Sequence, residues 1–169
     1  MRYPVIVRPA VPADAKAMAA VHVQSWRETY RGTLMSDAVL DDPGILPGRE
    51  RFWAAALTDR RWASNRVAVA ERNGSLIGIA MSGPVTGEAW SQHLYVLYLL
   101  QEHHGAGAAT DLLEAVIWPD DRAALWVGDP NPRAQAFYRK NGFVADGTVK
   151  LEDGVREIRM TRPEIPRDR

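Results

Sequence analysis

One apolar and aromatic run, followed by a glycine turn and an amphipathic segment, constrains this chain most. The run HLYVLYLL covers residues 93–100 and contains neither glycine nor proline. Such a run is typical of a strand buried in the middle of a sheet. The turn Gly105-Ala106-Gly107 follows, and apolar residues then recur at helical spacing over positions 112–117. The sequence therefore predicts a strand–loop–helix unit at the centre of a sheet.

The remaining elements follow from periodicity and from breaking residues. Strands are predicted over residues 5–9, 66–72, 76–81, 123–127, 143–150 and 155–160. Helices are predicted over residues 14–30, 36–40 and about 48–59, between Gly107 and Pro119, and between Asn131 and Gly142. This order indicates an α/β or α+β fold with a mixed sheet.

The length of 169 residues fits a single domain. We expect that domain to span residues 1–162, with a mobile polar tail over residues 163–169.

Composition excludes several function classes. Lys plus Arg and Asp plus Glu both number 21, so a general nucleic-acid binder with a basic excess is not expected. No cysteine is present, which excludes disulfides, thiolate nucleophiles and Cys-ligated zinc. His103-His104 has no third ligand at zinc spacing, so no metal is expected. No apolar run is long enough for a secretory signal or a bilayer span, which predicts a cytoplasmic protein with no membrane partner.

The glycine turn has the features of a phosphate site. A turn between strand and helix exposes backbone N–H groups at the positive end of the helix dipole, and glycines allow close approach. The alternative is a tight turn that begins a helix and binds nothing. A Walker A loop is disfavoured because no Lys follows the glycines, and a dinucleotide fingerprint is disfavoured because Thr110 replaces its last glycine.

A second segment, NPRAQAFYRKNGF, covers residues 131–143. Asn131 is a typical N-cap, Pro132 suits the first helical position, and Gly142 is a typical helix end. Ala134 and Phe137 fall at helical spacing and are most simply core residues, whereas Tyr138 is either a core residue or a proton donor.

Together the two segments resemble the GNAT superfamily of acetyl-CoA-dependent N-acetyltransferases. HHGAGAATDLLEAV is similar to the family's pyrophosphate loop, Q/R-x-x-G-x-G/A, which falls on residues 104–109. NPRAQAFYRKNGF matches the pattern N-x-x-A-x-x-F-Y-x-x-x-G-F at every fixed position. One departure is His104, where the family prefers Gln or Arg. The resemblance implies a mixed, mostly antiparallel twisted sheet flanked by helices, with acetyl-CoA bound where the central strands splay apart.

The resemblance also implies where acetyl-CoA, as co-substrate, is held. The pantetheine runs beside the strand that ends at Leu99 and Leu100, and a backbone N–H there polarises the thioester carbonyl. The implied cofactor-binding residues are Leu99, Leu100, His104, Gly105, Ala106, Gly107, Ala108, Ala109, Asn131, Ala134 and Tyr138. Tyr138 is the implied general acid that protonates the CoA thiolate, with a core tyrosine as the alternative.

The general base and the acceptor site are less constrained. His93 is the candidate base because an ordinary imidazole titrates near pH 6.5, and Glu28 and Glu88 compete with it. The early helix and loop that line the acceptor site in the family fall on residues 22–32. There, Trp26 and Tyr30 share a helix face and form an aromatic wall, unless they are simply core. Trp90 is a further candidate, and Glu28 and Asp37 are candidates to attract a cationic amine.

The leading interpretation is an enzyme that acetylates a primary amine of a small molecule or peptide by direct attack in a ternary complex. A non-catalytic acyl-CoA-binding or interaction module and a transferase of another acyl-CoA remain as alternatives. By analogy, a homodimer through sheet edges or the last strand stays open, with Ile158 and Met160 as contacts.

Overall fold

The structure, a computed structural model, describes residues 3–166, which form five helices and seven strands. The helices are α1 (Ala15–Tyr30), α2 (Asp37–Leu40), α3 (Ile45–Thr58), α4 (Ala108–Val116) and α5 (Pro132–Lys140). The strands are β1 (Val5–Pro9), β2 (Arg66–Arg72), β3 (Ser75–Pro84), β4 (Gln92–Leu99), β5 (Ala123–Gly128), β6 (Val144–Glu152) and β7 (Val155–Arg162). Every predicted element is present. None of these helices is both long and apolar enough to cross a bilayer.

The strands form one sheet in the order β1-β2-β3-β4-β5-β7-β6. Only β4 and β5 pair in parallel, and the other five pairs are antiparallel. The predicted mixed, mostly antiparallel fold class is therefore confirmed.

Helices cover both faces of the sheet. One core layer lies under α1 and α3, and its fully buried members include Met18, Trp53, Val69 and Ile79. The other lies under α4 and α5, and its fully buried members include Leu112, Val116, Phe143 and Met160.

Helix α3 begins three residues earlier than predicted, at Ile45. Pro47 favoured a later start, because proline inside a helix removes a hydrogen-bond donor. At the third helical position that donor has no partner within the helix, so the proline is tolerated.

A β-bulge changes the side-chain alternation of β4. Met81 on β3 faces Val96, and Ser82 faces Leu94, so Tyr95 has no partner on β3. As a result Leu94 and Leu97 lie on the α4 face, whereas Val96 lies on the α1 face. A regular strand would place 94, 96 and 98 on one face.

Strands β4 and β5 separate soon after they meet. Their pairing covers only Gln92–Leu94 with Ala123–Leu125, and no further pair joins them within the described chain. Beyond that point the two strands splay apart and open a cleft between their carboxyl ends.

The last strand does not offer the dimer contacts predicted from the sequence. Met160 is fully buried and Ile158 packs against the core, because β7 lies inside the sheet and β6 forms its edge. The exposed apolar residues of this hairpin lie on β6, at Val144, Val149 and Leu151.

The predicted C-terminal tail falls partly outside the described residues, since positions 167–169 are not described. Residues 163–166 have no regular structure and are exposed. The Ile165 N–H donates to the Pro119 carbonyl over 2.7 Å, and Glu164 lies 3.6 Å from Arg122.

The buried face of α4 should contribute strongly to stability. Leu112 is fully buried, whereas Leu151 is 76% exposed at the sheet edge. We expect Leu112→Ala to lower the free energy of unfolding by about 2–5 kcal/mol, through lost burial and a residual cavity. The matched Leu151→Ala change should cost less than about 0.5 kcal/mol. Urea unfolding measures both, and equal losses would contradict the assignment of the core.

Candidate functional site

A cleft of about 270 Å³ lies between the separated ends of β4 and β5. Its walls come from both strands, from the loop before α4, and from α1 and α5. The lining residues include Tyr30, Leu94–Leu99, His104, Gly105, Ala109, Leu125–Val127, Asn131, Ala134, Phe137 and Tyr138. The cleft therefore brings together residues from both sequence segments that resemble the GNAT family.

The glycine loop presents free backbone donors at one end of this cleft. Gly105 and Gly107 have φ values of +85° and +84°, and no other atom lies within 4 Å of the position a Cβ would take at either. A side chain there would be strained. The N–H groups of Gly105, Ala106 and Gly107 donate to no acceptor in residues 3–166. Together with the N-terminus of α4, they form a site suited to a diphosphate.

His104 fastens this loop to the end of β4. Its Nε2 lies 2.7 Å from the Leu99 carbonyl oxygen. Because a carbonyl only accepts hydrogen bonds, Nε2 carries the proton. Nδ1 is buried and has no partner among the described residues. The imidazole is thus held by one nitrogen, and the other is a buried acceptor without a partner among the described residues.

Tyr138 and Asn131 are positioned by α5. Asn131 caps the helix as predicted, and its side-chain oxygen accepts from the Ala134 N–H over 3.2 Å. Tyr138 is buried against the cleft and its ring packs on Phe137 and Phe143. Burial raises the pKa of Tyr138 above its usual value, with a smaller contribution from Tyr98. The hydroxyl is therefore protonated at neutral pH and can donate a proton.

His93 and Trp90 lie outside the residues that line the cleft. Burial, together with Lys150 and Arg159, lowers the pKa of His93 to about 4. The imidazole is neutral at pH 7 but weakly basic, which weighs against its role as general base. The Trp90 ring lies under the Arg159 guanidinium, 4.7 Å from its centroid.

Of the acceptor-site candidates on and after α1, Tyr30 alone lines the cleft within the described residues. Trp26 does not line the cleft but packs behind its wall, and its ring N–H donates to the Tyr98 hydroxyl over 2.9 Å.

The two candidate carboxylates are engaged elsewhere. The Glu28 carboxylate accepts from the Gln101 N–H over 2.8 Å, so it orders the start of the glycine loop and does not line the cleft. Asp37 is ion-paired to Arg31 at 2.8 Å.

Three further residues near the cleft were missed from the sequence. Tyr98 lines it and lies between Trp26 and Tyr30, but the bulge in β4 hid which face it occupies. Glu157 is a half-buried carboxylate on β7. Arg49 is a half-buried guanidinium on α3, where it interrupts an apolar helical face. For Arg49 the available signal was a charge on an otherwise apolar helical face, whereas Glu157 gave none because it alternates with the core residues Ile158 and Met160.

Within residues 3–166, no group of three or more His, Asp or Glu side chains is arranged to hold a metal ion. A larger cavity of about 550 Å³ lies between β1, β2 and the end of α3, beside Trp62 and Trp118. None of the predicted site residues lines it.

Comparison with known proteins gives one consistent result. Residues 63–145 match the model of the "Acetyltransferase (GNAT) domain" family. An uncharacterised N-acetyltransferase of Mycobacterium tuberculosis (strain ATCC 25618 / H37Rv) is 39% identical over 140 residues, covering 80% of this chain and 86% of the relative. An uncharacterised N-acetyltransferase of Bacillus subtilis (strain 168) is 34% identical over 112 residues, covering 64% and 60%.

A solved structure shares the fold. The PaiA N-acetyltransferase of Thermoplasma acidophilum, in complex with coenzyme A, superposes with a TM-score of 0.74 at 19% identity, covering 95% of this chain and 99% of that one. The chain therefore belongs to the GNAT family, and it is an acetyl-CoA-dependent acyltransferase.

Proposed function

We propose that the protein transfers the acetyl group of acetyl-CoA to a primary amine of a small molecule or peptide by direct attack in a ternary complex. The observation that carries this proposal is the unpaired edge of β4, which ends beside a loop of unpartnered backbone donors. An extended, amide-containing chain that ends in a diphosphate complements both features. Acetyl-CoA has this form.

The residues present fit acetyl-CoA. The diphosphate lies on the backbone N–H groups of residues 105–109, with Asn131 beside it, and His104 fixes the loop through its Nε2–H bond to Leu99. The pantetheine arm runs along β4 as an added strand and bonds to backbone groups that β5 leaves unpaired. It passes Leu99 and Leu100, and Ala134 leaves room for it on α5. A β4 backbone N–H near the bulge polarises the thioester carbonyl.

Tyr138 supplies the proton that the departing CoA sulfur needs. Its pKa is raised by burial, which by itself makes it a weaker acid. The same dry surroundings raise the pKa of a thiol as well, since burial disfavours any anion. Transfer from phenol to sulfur therefore becomes feasible as negative charge develops on the sulfur. A buried Tyr138 hydroxyl at the cleft favours an enzyme over a non-catalytic acyl-CoA-binding module.

Two predicted properties stay predictions. One is the cytoplasmic location, and the other is a homodimer through a sheet edge.

The glycine loop can be tested by binding. Acetyl-CoA or CoA at 100 times its dissociation constant should stabilise the fold by about 2.7 kcal/mol. This corresponds to a melting-temperature rise of roughly 5–10 °C for a chain of this size, with none for ATP. A chain that melts at the same temperature with and without either CoA species would contradict the proposed site.

A negative charge introduced into the glycine loop tests whether CoA binds there. Ala106 is exposed and its N–H is free. Ala106→Glu should weaken CoA binding by about 10-fold or more through repulsion of the diphosphate. Ala106→Gln has nearly the same size without the charge and should bind almost as tightly as the unchanged protein. Calorimetry measures both, and equal affinities would argue against a diphosphate at this loop.

Tyr138→Phe tests the general acid. Loss of the proton donor should lower kcat by about 100-fold or more, while the dissociation constant of CoA changes little. Thiol-release kinetics and calorimetry give the two values, and Tyr3→Phe, at an exposed position, is the control. Full turnover in the Tyr138 variant would refute the assigned role.

A further inference from the structure

Two half-buried charges near the cleft have no partner of opposite sign. Among residues 3–166, no carboxylate lies within the 4.0 Å ion-pair distance of the Arg49 guanidinium, and no cation lies within that distance of the Glu157 carboxylate. Other charges nearby, those of Arg31, Lys150 and Arg159, are ion-paired. Taking a charge out of water is costly unless it is compensated, so an unpaired cation and an unpaired anion in one region indicate a ligand that meets both.

Arg49 approaches the site from α3. Its guanidinium lies 5.4 Å from the Trp26 ring centroid and 4.7 Å from that of Phe52. Trp26 in turn donates a hydrogen bond to the Tyr98 hydroxyl at 2.9 Å. Two aromatic rings thus hold the guanidinium in place, and none of its N–H groups donates to a described residue.

Glu157 approaches the site from β7, where it faces Gly128 on β5. A Cβ at position 128 would lie 3.5 Å from the Tyr30 ring and 2.7 Å from Leu34. Paired residues on antiparallel strands point to the same face, so Glu157 points to the face that Tyr30 covers. Its neighbour on β6, Lys150, acts on it electrostatically but places its ammonium 2.6 Å from the Glu152 carboxylate.

Tyr98 connects the two charges and the cleft. Glu157 raises the pKa of the Tyr98 hydroxyl and Arg49 lowers it, so both charges act at the same oxygen. The Tyr30 and Tyr98 hydroxyls interact with each other, and both tyrosines line the cleft that also holds Tyr138. Neither Arg49 nor Glu157 lines the cleft itself, but both act on Tyr98, which does, so a ligand that reaches Tyr98 from the α1 face can meet both charges.

We propose that the acceptor is a primary amine that also carries a carboxylate, with its ammonium group at Glu157 and its carboxylate at Arg49. This inference rests on the proposed function and specifies its substrate class. A polyamine fits less well, because its further positive charges would meet Arg49 and Lys150. A neutral amine would leave Arg49 without a counter-charge.

Glu157 also supplies a place for the proton that the acceptor must lose. The ammonium group gives a proton to the Glu157 carboxylate, and the freed nitrogen forms its bond to the acetyl carbon. The bond from that carbon to sulfur breaks, the sulfur takes a proton from Tyr138, and the nitrogen loses its second proton to water. Glu157 then gives its proton to water, and Tyr138 regains one from water.

The test compares amino acids with their own amides. The full chain is assayed with acetyl-CoA and glycine, β-alanine, 4-aminobutyrate and 6-aminohexanoate, each beside the primary amide of the same compound, and with spermidine. The amide keeps the amine and the length but removes the negative charge. For at least one length, we expect kcat/KM for the amino acid to exceed that for its amide by about 10-fold or more.

Substitutions test which residues cause the preference for an amino acid over its amide. Arg49→Gln should raise KM for the preferred amino acid, so that kcat/KM for the amino acid and kcat/KM for its amide become nearly equal. Arg51→Gln, at an exposed position on the same helix, should leave the ratio of these two kcat/KM values unchanged. Glu157→Gln should lower kcat/KM for acid and amide alike by about 10-fold or more, with partial recovery in Glu157→Asp. Glu114→Gln, exposed on α4, is the carboxylate control. An unaltered CoA dissociation constant shows that each variant is folded.

The outcomes separate this inference from the proposed function. Failure of the unchanged chain to bind CoA would overturn both. Binding of CoA together with a preference for the amides or for spermidine, or with no reaction of any amine in the series, would overturn the carboxylated acceptor alone. An amino-acid preference that survives Arg49→Gln would also overturn it.

Discussion

The structure depends on the point where β4 and β5 stop pairing. After three residue pairs the strands diverge, and the backbone groups of β4 from Tyr95 onward face a cleft. In the middle of a sheet such groups need hydrogen-bond partners, and on the β5 side residues 3–166 do not supply them. A ligand that runs as an extended strand is the natural partner. The location of the diphosphate loop follows, because the same strand leads directly into it.

The bulge at Tyr95 gives the two halves of β4 different roles. Before it, the strand is bound on both sides and fixes the centre of the sheet. After it, Tyr98 lies on the α1 face, where it meets Trp26 and Tyr30. Tyr138 enters the cleft from α5 on the opposite face. In the proposed complex, the acetyl donor lies between the Tyr138 phenol on one side and the proposed acceptor site on the other, which is the arrangement that direct attack requires.

The order of elements could be predicted from the sequence because local signals agree with the tertiary fold. The run at 93–100 and the Asn131 cap each have one strong interpretation, and both are confirmed. The start of α3 was misplaced because Pro47 breaks a helix interior but not a first turn. The bulge left no sequence signal, since every residue from 93 to 100 suits a strand.

The site was less predictable because it depends on contacts between distant segments. Glu28 has a suitable charge and position along the chain, but the fold directs it to the Gln101 N–H. His93 is an ordinary imidazole in the sequence, but burial in the fold lowers its pKa, and the nearby Lys150 and Arg159 lower it further. Nothing in the sequence marks Arg49 and Glu157 as unpaired, and only the fold shows that neither has an ion-pair partner among residues 3–166.

Amide hydrogen exchange with and without CoA tests the central claim most directly. If the ligand pairs with β4 and its diphosphate lies on the loop, CoA should slow exchange at amides of residues 95–99 and 105–109. Exchange in β1 and β2 should not change. Protection confined to the cavity beside Trp62 and Trp118, or no protection at β4, would contradict the account.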